Sequence, residues 1–356
     1  MELQKELLPQ DKRGKLPDDE STLGFGEKFT DHMFSIRYRD GGWHDASIHP
    51  YRSICLDPAA LVFHYGQEIF EGLKAYRGDD GKIYMFRPGK NLDRMNASAE
   101  RLCMPLLDND LMLEAMKELV RIERAWIPRA PGTSLYVRPT YVATQAILGV
   151  RPSSEYLFYI ILSPVGAYYA TGFNPVKILV EEKYVRAAPG GVGFAKVGGN
   201  YAASLLAASL AKEKGYSQVL WLDAAEHKYI EEVGTMNQFF VIGDTVITPP
   251  LTGSILPGVT RDSVLHMLKD WGWKVEERMI TIDELVTAWE NKNLREAFGT
   301  GTAAVVTPVG EFCYKDTCMV IGDGGVGALA QKLYDELVAI QYGKKPDPYG
   351  WRIEVC

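Results

Sequence analysis

Basic runs, bilayer-length apolar stretches and paired-cysteine motifs are all missing from this sequence, and each absence removes a class of function. The 39 Lys and Arg are outnumbered by 46 Asp and Glu, for a formal net charge of −7. No basic run goes beyond a pair such as Lys12-Arg13, so no surface is offered to a phosphate backbone and no nucleic-acid partner is expected. No apolar stretch approaches a membrane span, and the charged segment from Met1 to Glu20 lacks the apolar centre of a signal peptide. The expectation is a cytoplasmic protein with no membrane partner. Cys55, Cys103, Cys313, Cys318 and Cys356 form an odd, scattered set, expected to be free thiols. Four residues separate Cys313 from Cys318, wider than a redox C-x-x-C, and the six histidines show no metal-ligand spacing. No metal is expected.

What is present is ordinary globular composition, 46% hydrophobic and 24% charged over 356 residues, which suggests two domains. Residues 33–38 alternate and meet Asp40-Gly41-Gly42, a hairpin signature. Ile83 to Phe86, Leu135 to Val142 and Tyr156 to Leu162 read as strands, and Leu111 to Ile127 as an amphipathic helix stopped by Pro128. Between Ser163 and Pro175 the period is lost. The expected division is therefore a smaller domain over 1–165, a connector over 166–178 and a larger domain over 179–356. In that second part strands at Val176 to Val180, Gln218 to Leu222 and Phe239 to Ile242 mix with helices ending at Gly215, Gly272 and Gly343. Thr281 with Glu284 has the spacing of a capping box.

Two glycine patterns are decoys. Gly322-Asp-Gly324-Gly-Val-Gly327 fits G-x-G-x-x-G, but the 29 residues that follow are too few for a dinucleotide-binding half. It reads as the entry to a last helix from Ala328 to Tyr342. Gly191-Val-Gly193-Phe-Ala-Lys196 lacks the Gly before the lysine and the Ser or Thr after it that a phosphate-binding loop needs.

Lys196 remains to be explained. Glycines flank it closely on both sides, which would let backbone approach a bulky ring held by the lysine. A lysine used for Schiff-base chemistry must be partly neutral near pH 7. From spacing alone, a surface lysine in a flexible loop is the better reading. Other segments change that. Gly190-Gly-Val-Gly-Phe-Ala-Lys196-Val-Gly-Gly-Asn-Tyr201 resembles the cofactor-lysine segment of branched-chain amino acid aminotransferases. Tyr65-Gly-Gln-Glu-Ile-Phe70-Glu-Gly-Leu-Lys74, Phe86-Arg-Pro with Asn91-Leu-Asp-Arg94 and Tyr136-Val-Arg138-Pro139 are similar to that family in order. So are Glu232-Val-Gly-Thr235-Met-Asn237, Leu256-Pro-Gly258-Val259-Thr260-Arg261 and Gly299-Thr-Gly301-Thr302-Ala303-Ala304. The likeness runs from about Phe34 to Glu354.

The resemblance implies a mixed α/β, two-domain fold type IV enzyme with pyridoxal 5′-phosphate at the domain interface, usually a homodimer. Lys196, expected in the C-terminal domain, would be the catalytic Schiff-base lysine. Glu232 would hold the proton on the pyridine nitrogen. Arg94, the amides of Val259 and Thr260 at a helix start, and the Thr302 hydroxyl would hold the phosphate. Tyr201 would bond the phenolic oxygen, with Thr235 also at the cofactor. Tyr136 and the amides of Ala303 and Ala304 would take the substrate carboxylate, Arg138 the glutamate side chain, and Tyr65, Phe70 and Tyr168 would wall an apolar pocket. The activity implied is ping-pong transfer of the amino group from L-leucine, L-isoleucine or L-valine to 2-oxoglutarate. A D-amino acid aminotransferase or an aminodeoxychorismate lyase of the same fold is the rival, and a silent binding protein would keep the fold without the lysine. Gln238 stands where many relatives carry an apolar residue, and Ala304-Val-Val-Thr307 replaces the vertebrate C-x-x-C, so redox regulation through such a pair is not expected.

Overall fold

The expected first hairpin is present in the computed structural model, which describes residues 2–166 and 173–356. Asp40 and Gly41 take φ of 51° and 74°, the left-handed values a two-residue hairpin turn requires. They join β2 (His32–Arg39) to β3 (Gly42–Pro50), with β1 (Gln4–Lys5) parallel to β3 at the edge. Then follow α1 (Leu61–Tyr65), β4 (Glu68–Phe70), β5 (Leu73–Arg77), β6 (Ile83–Phe86), α2 (Pro88–Arg101), α3 (Asn109–Ile122), β7 (Ser134–Ala143) and β8 (Tyr156–Val165). Both long helices turn apolar stripes inward, Leu92, Met95 and Ala99 on α2 and Met112, Met116 and Leu119 on α3.

The helix expected over 111–127 starts and stops earlier. Asp108 caps its start by accepting from the amides of Asp110 and Leu111. Its end comes at Ile122 because Glu123 is buried and its carboxylate pairs with His32, after which residues 124–126 tighten into a 3₁₀ turn. That contact joins residues 91 apart, which helical periodicity cannot register.

The remaining strands and helices are β9 (Val176–Val180), α4 (Gly198–Glu213), β10 (Gln218–Leu222), β11 (Ile230–Val233), β12 (Met236–Ile242), β13 (Thr245–Thr248), α5 (Val259–Asp270), β14 (Lys274–Glu277), α6 (Ile282–Glu290), β15 (Leu294–Gly301), β16 (Val305–Tyr314), β17 (Thr317–Val320), α7 (Ala328–Gln341) and β18 (Arg352–Glu354). Gly215, Gly272 and Gly343 follow α4, α5 and α7 at positive φ, as expected. The glycine-rich 322–327 leads into α7. Thr281 accepts from the Glu284 amide at 3.0 Å, while the Glu284 carboxylate goes to Arg278.

Contacts divide the chain into Met1–Tyr168 with Ala195–Gly198 and Ala339–Cys356, and Tyr169–Phe194 with Gly199–Val338. This corrects two expectations. The C-terminal residues belong to the first unit, because β18 pairs antiparallel with β6. Lys196 belongs there too: Val197 bridges Ile69, and the Phe70 amide donates to the Lys196 carbonyl at 3.1 Å. The first unit's sheet runs β1-β3-β2-β8-β7-β5-β6-β18, with β4 on β7. In the second unit β11, β10, β9, β16, β15 and β12 pair in succession, and β12 pairs back to β11, closing a six-stranded ring. Its core includes Ile178, Leu220, Val233, Phe240 and Phe312.

One further expectation fails. Cys313 and Cys318 are not free thiols but a disulfide, since the two-residue turn between β16 and β17 sets them directly opposite each other in register. Cys55, Cys103 and Cys356 are free and exposed.

Candidate active site

In the first unit the functional side chains converge on one sheet face. Tyr136 and Arg138, two apart on β7, share a face, and an Arg138 N–H donates to the Tyr136 hydroxyl at 3.2 Å. Phe70 on β4 is opposite Thr140 on β7. Its ring meets the Arg138 guanidinium at 4.7 Å and Lys196 Nζ at 4.9 Å. Gly72 is obligatory here, because a Cβ would come 1.9 Å from the Tyr136 hydroxyl. The Lys196 amide donates to Ser98 Oγ at 2.9 Å, which fixes the lysine's backbone against α2.

Arg94 lies on α2. It is buried, and Nε and Nη2 grip the two Glu71 oxygens at 2.7 and 2.8 Å. Asn91 and the Gly72 amide also donate to Glu71, at 2.8 and 3.1 Å. Burial pushes the Glu71 pKa up, but the charge and hydrogen bonds of Arg94 outweigh it and hold the carboxyl below its ordinary value. Glu71 was legible only as part of the Phe70-Glu-Gly run. Its role needed the fold, since Arg94 is 23 residues away.

Lys196 has its pKa lowered to about 8, by burial of its amino group first and by Arg94 second. A perturbed pKa does not single it out: burial brings Lys74 on β5 to about 8 as well. What distinguishes Lys196 is its company, namely the cationic Arg94, the anionic Glu71 and an aromatic face. These arrange a lysine that is partly neutral near pH 7 and feels the charge of a buried arginine.

In the second unit Glu232 on β11 is buried, not on a solvated face. Arg186 Nε meets its Oε2 at 2.9 Å, and the Leu256 amide donates to its Oε1 at 2.7 Å. Arg186 also donates to the Ser254 carbonyl at 2.6 Å. Sequence reading missed Arg186, which carries no motif of its own. The neighbouring Glu231 contrasts with Glu232: burial, with the charge of Glu232 adding to it, pushes its pKa up to about 7 although the Ser254 hydroxyl donates to it. Arg186, Tyr201, Thr235 and Leu256 line one cleft. Val259 and Thr260 form the first turn of α5, whose N-cap Gly258 offers no side-chain cap. A Cβ there would come 2.0 Å from Asn237 Oδ1, so the bare backbone is enforced at a helix end that favours an anion. Thr302, Ala303 and Ala304 make the turn between β15 and β16.

The structure therefore gathers Lys196, Arg94, Phe70, Tyr136 and Arg138 in one unit, and Glu232 with Tyr201 and Thr235 in the other. Tyr65 stands on α1, exposed, with its hydroxyl donating to the Leu148 carbonyl. Tyr168 lies outside the described residues. The first unit offers an amine at depressed pKa that feels an arginine's charge, and the second offers a fixed buried carboxylate and a helix start without a side-chain cap; each is a group of the kind that a phosphorylated pyridine aldehyde needs.

Comparison with known proteins agrees. Residues 68–312 match the family described as Amino-transferase class IV. The chain is 55% identical over 339 residues, 95% of each chain, to branched-chain-amino-acid transaminase 1 of Bacillus subtilis. It is 50% identical to the branched-chain-amino-acid aminotransferase of Mycolicibacterium smegmatis, covering 92% of this chain and 91% of that one. Among solved structures, the branched-chain amino acid aminotransferase of Escherichia coli superposes with a TM-score of 0.76 at 28% identity, over 92% of this chain and 99% of that one. The branched-chain amino acid aminotransferase of the archaeon Thermoproteus uzoniensis, solved with norvaline, superposes at 0.75 and 26% identity, over 91% of this chain and all of that one. A further branched-chain amino acid aminotransferase, solved with pyridoxamine 5′-phosphate, superposes at 0.74 and 29% identity, over 90% and 98%. With the fold type of these enzymes and the matched segment spanning most of its length, the chain belongs to the class IV aminotransferases.

Proposed function

We propose that the protein is a pyridoxal-phosphate-dependent branched-chain aminotransferase, moving the amino group of L-leucine, L-isoleucine or L-valine reversibly to 2-oxoglutarate. The observation that carries this is Lys196, with its pKa lowered to about 8, its Nζ over Phe70 and the charges of Arg94 and Glu71 both felt at that amine.

When bound, the cofactor supplies a ring that withdraws electrons from the carbon bearing the substrate's amino group. Lys196 Nζ would hold the cofactor and, once the substrate amine has displaced it, would take up the proton from the substrate Cα and return it on the cofactor side. Glu232, kept in place by Arg186, holds the proton on the ring nitrogen. Arg94, the amides of Val259 and Thr260, and Thr302 take the phosphate. Tyr201 bonds the phenolic oxygen, and Thr235 lines the same cleft. Tyr136 with the amides of Ala303 and Ala304 orients the α-carboxylate. Phe70 supplies apolar wall, and Arg138 meets the second carboxylate of glutamate, which lets one site serve both partners.

A homodimer belongs to this reading. Ala60 bridges Ala146, and together α1 and the 144–150 segment expose Phe63, Tyr65, Leu148 and Val150. Exposed apolar side chains on two segments joined in this way mark an association surface. Pairing there gives Tyr65 a role in the assembly that its exposed position in one chain does not. Among the described residues no helix is long and apolar enough to cross a membrane. Cytoplasmic residence is part of the reading.

The test is an absorption spectrum of the purified holoprotein, followed on adding L-leucine and then 2-oxoglutarate. The visible cofactor band should shift to the pyridoxamine form and then return. A band indifferent to L-leucine but responsive to D-alanine would overturn the proposal.

A further inference from the structure

The reaction as assigned makes no use of Glu68, yet this carboxylate stands among the pocket residues. It lies on β4 two residues before Phe70, so both side chains leave the same face. The Gly198 amide, two residues beyond Lys196, donates to it, and a Cβ on Gly198 would come 1.7 Å from Glu68 Oε1. The carboxylate therefore closes over bare backbone at the lysine segment. Burial pushes the Glu68 carboxyl above its ordinary value, against which the Gly198 amide and, more weakly, the charge of Arg138 favour the charged form. Tyr159 on β8, opposite Thr140, feels the charges of both groups.

We propose that Glu68 is a specificity-determining residue: a built-in counter-charge that offsets Arg138 while an aliphatic side chain is bound and disfavours a second carboxylate beside it. This rests on the proposed function, in which Arg138 receives the glutamate side chain. A half-buried guanidinium with no anion near it would draw dicarboxylates strongly and make an unfavourable neighbour for leucine. With Glu68 ionised the pair is close to neutral for leucine, whereas glutamate has to compete with a resident carboxylate. Selectivity is the difference of the two affinities, and the repulsive element contributes as much as the attractive one.

Glu68→Gln keeps the size and the acceptor for the Gly198 amide while removing the charge. The ratio of kcat/KM for L-glutamate to that for L-leucine should rise about tenfold, through the KM for glutamate. The dissociation constant of glutarate should fall by a similar factor relative to that of 4-methylvalerate, a readout that a merely structural role would not move. Glu68→Asp, which retains the charge, should stay within about twofold of the parent ratio. If Glu68→Gln melts early, Glu68→Ser has to show the same direction. An unchanged or lowered ratio in a variant that still turns over both substrates overturns the role of Glu68 and leaves the proposed function standing. A parent protein that does not transaminate leucine at all overturns the function instead.

Discussion

At the scale of single residues, the chemistry depends on charges that burial would neutralise if they were alone. Lys196→Ala removes the amine proposed to hold the cofactor and move the proton. Turnover should fall by about a thousandfold or more, with the thermal transition of the apoprotein little changed. The lysine's pKa also fixes a pH dependence. Lowered to about 8, it is protonated and unreactive below that value. The rate at which added pyridoxal phosphate combines with apoprotein should therefore rise about tenfold per pH unit up to about pH 8 and level off above it, as followed by absorbance. A pH-independent rate between about pH 6 and pH 8 would mean the amine is already neutral. Arg186 should behave differently. It touches Glu232 and two backbone carbonyls, so Arg186→Gln strands a buried carboxylate. A loss of about 3–5 kcal/mol in stability is expected, together with a weaker hold on the cofactor measured by its dissociation constant.

Elements show how far local pattern reaches. β6, β9 and β10 have the bounds that alternation and composition indicate, and the glycines ending α4, α5 and α7 are where helix-stop chemistry puts them. Sequence and structure part where a partner distant in sequence decides the outcome. Glu123 ends α3 because His32 claims it. Lys196 sits with the first unit because Val197 bridges Ile69, and residues 339–356 do so because β18 finds β6. The site divides likewise: Lys196, Arg94 and Glu232 stand out through their neighbours in sequence, but Glu71 and Arg186, which hold two of them, do not. The Cys313–Cys318 disulfide is of another kind: its partners are near in sequence, but odd cysteine counts say nothing about a register set by a two-residue turn. It closes a small loop in a hairpin already formed, so reduction should cost at most about 2 kcal/mol on chain-entropy grounds. Thiol titration of the unfolded protein should find three groups before reduction and five after it. Five groups before reduction would mean that the hairpin holds without a covalent link.

For the whole molecule, the decisive quantity is how much apolar surface a single chain leaves open. Phe63, Leu148 and Val150 are 62%, 61% and 81% exposed, on two segments held together by the Ala60 to Ala146 bridge and by the Tyr65 hydroxyl on Leu148. Scattered exposed side chains are common on monomers, but rigidly joined ones make a template for a second copy. Light scattering should therefore give twice the 39.7 kDa of the chain at micromolar concentration. Introducing Val150→Asp together with Phe63→Asp places carboxylates from each copy in that contact, where burying an unpaired charge costs several kcal/mol. The double variant should run at half the parent mass while keeping its near-ultraviolet circular dichroism. If its activity then falls with dimer content at constant cofactor occupancy, the interface contributes to the pocket. Full activity in a monomer would confine the proposed site to one chain and leave Tyr65 outside it.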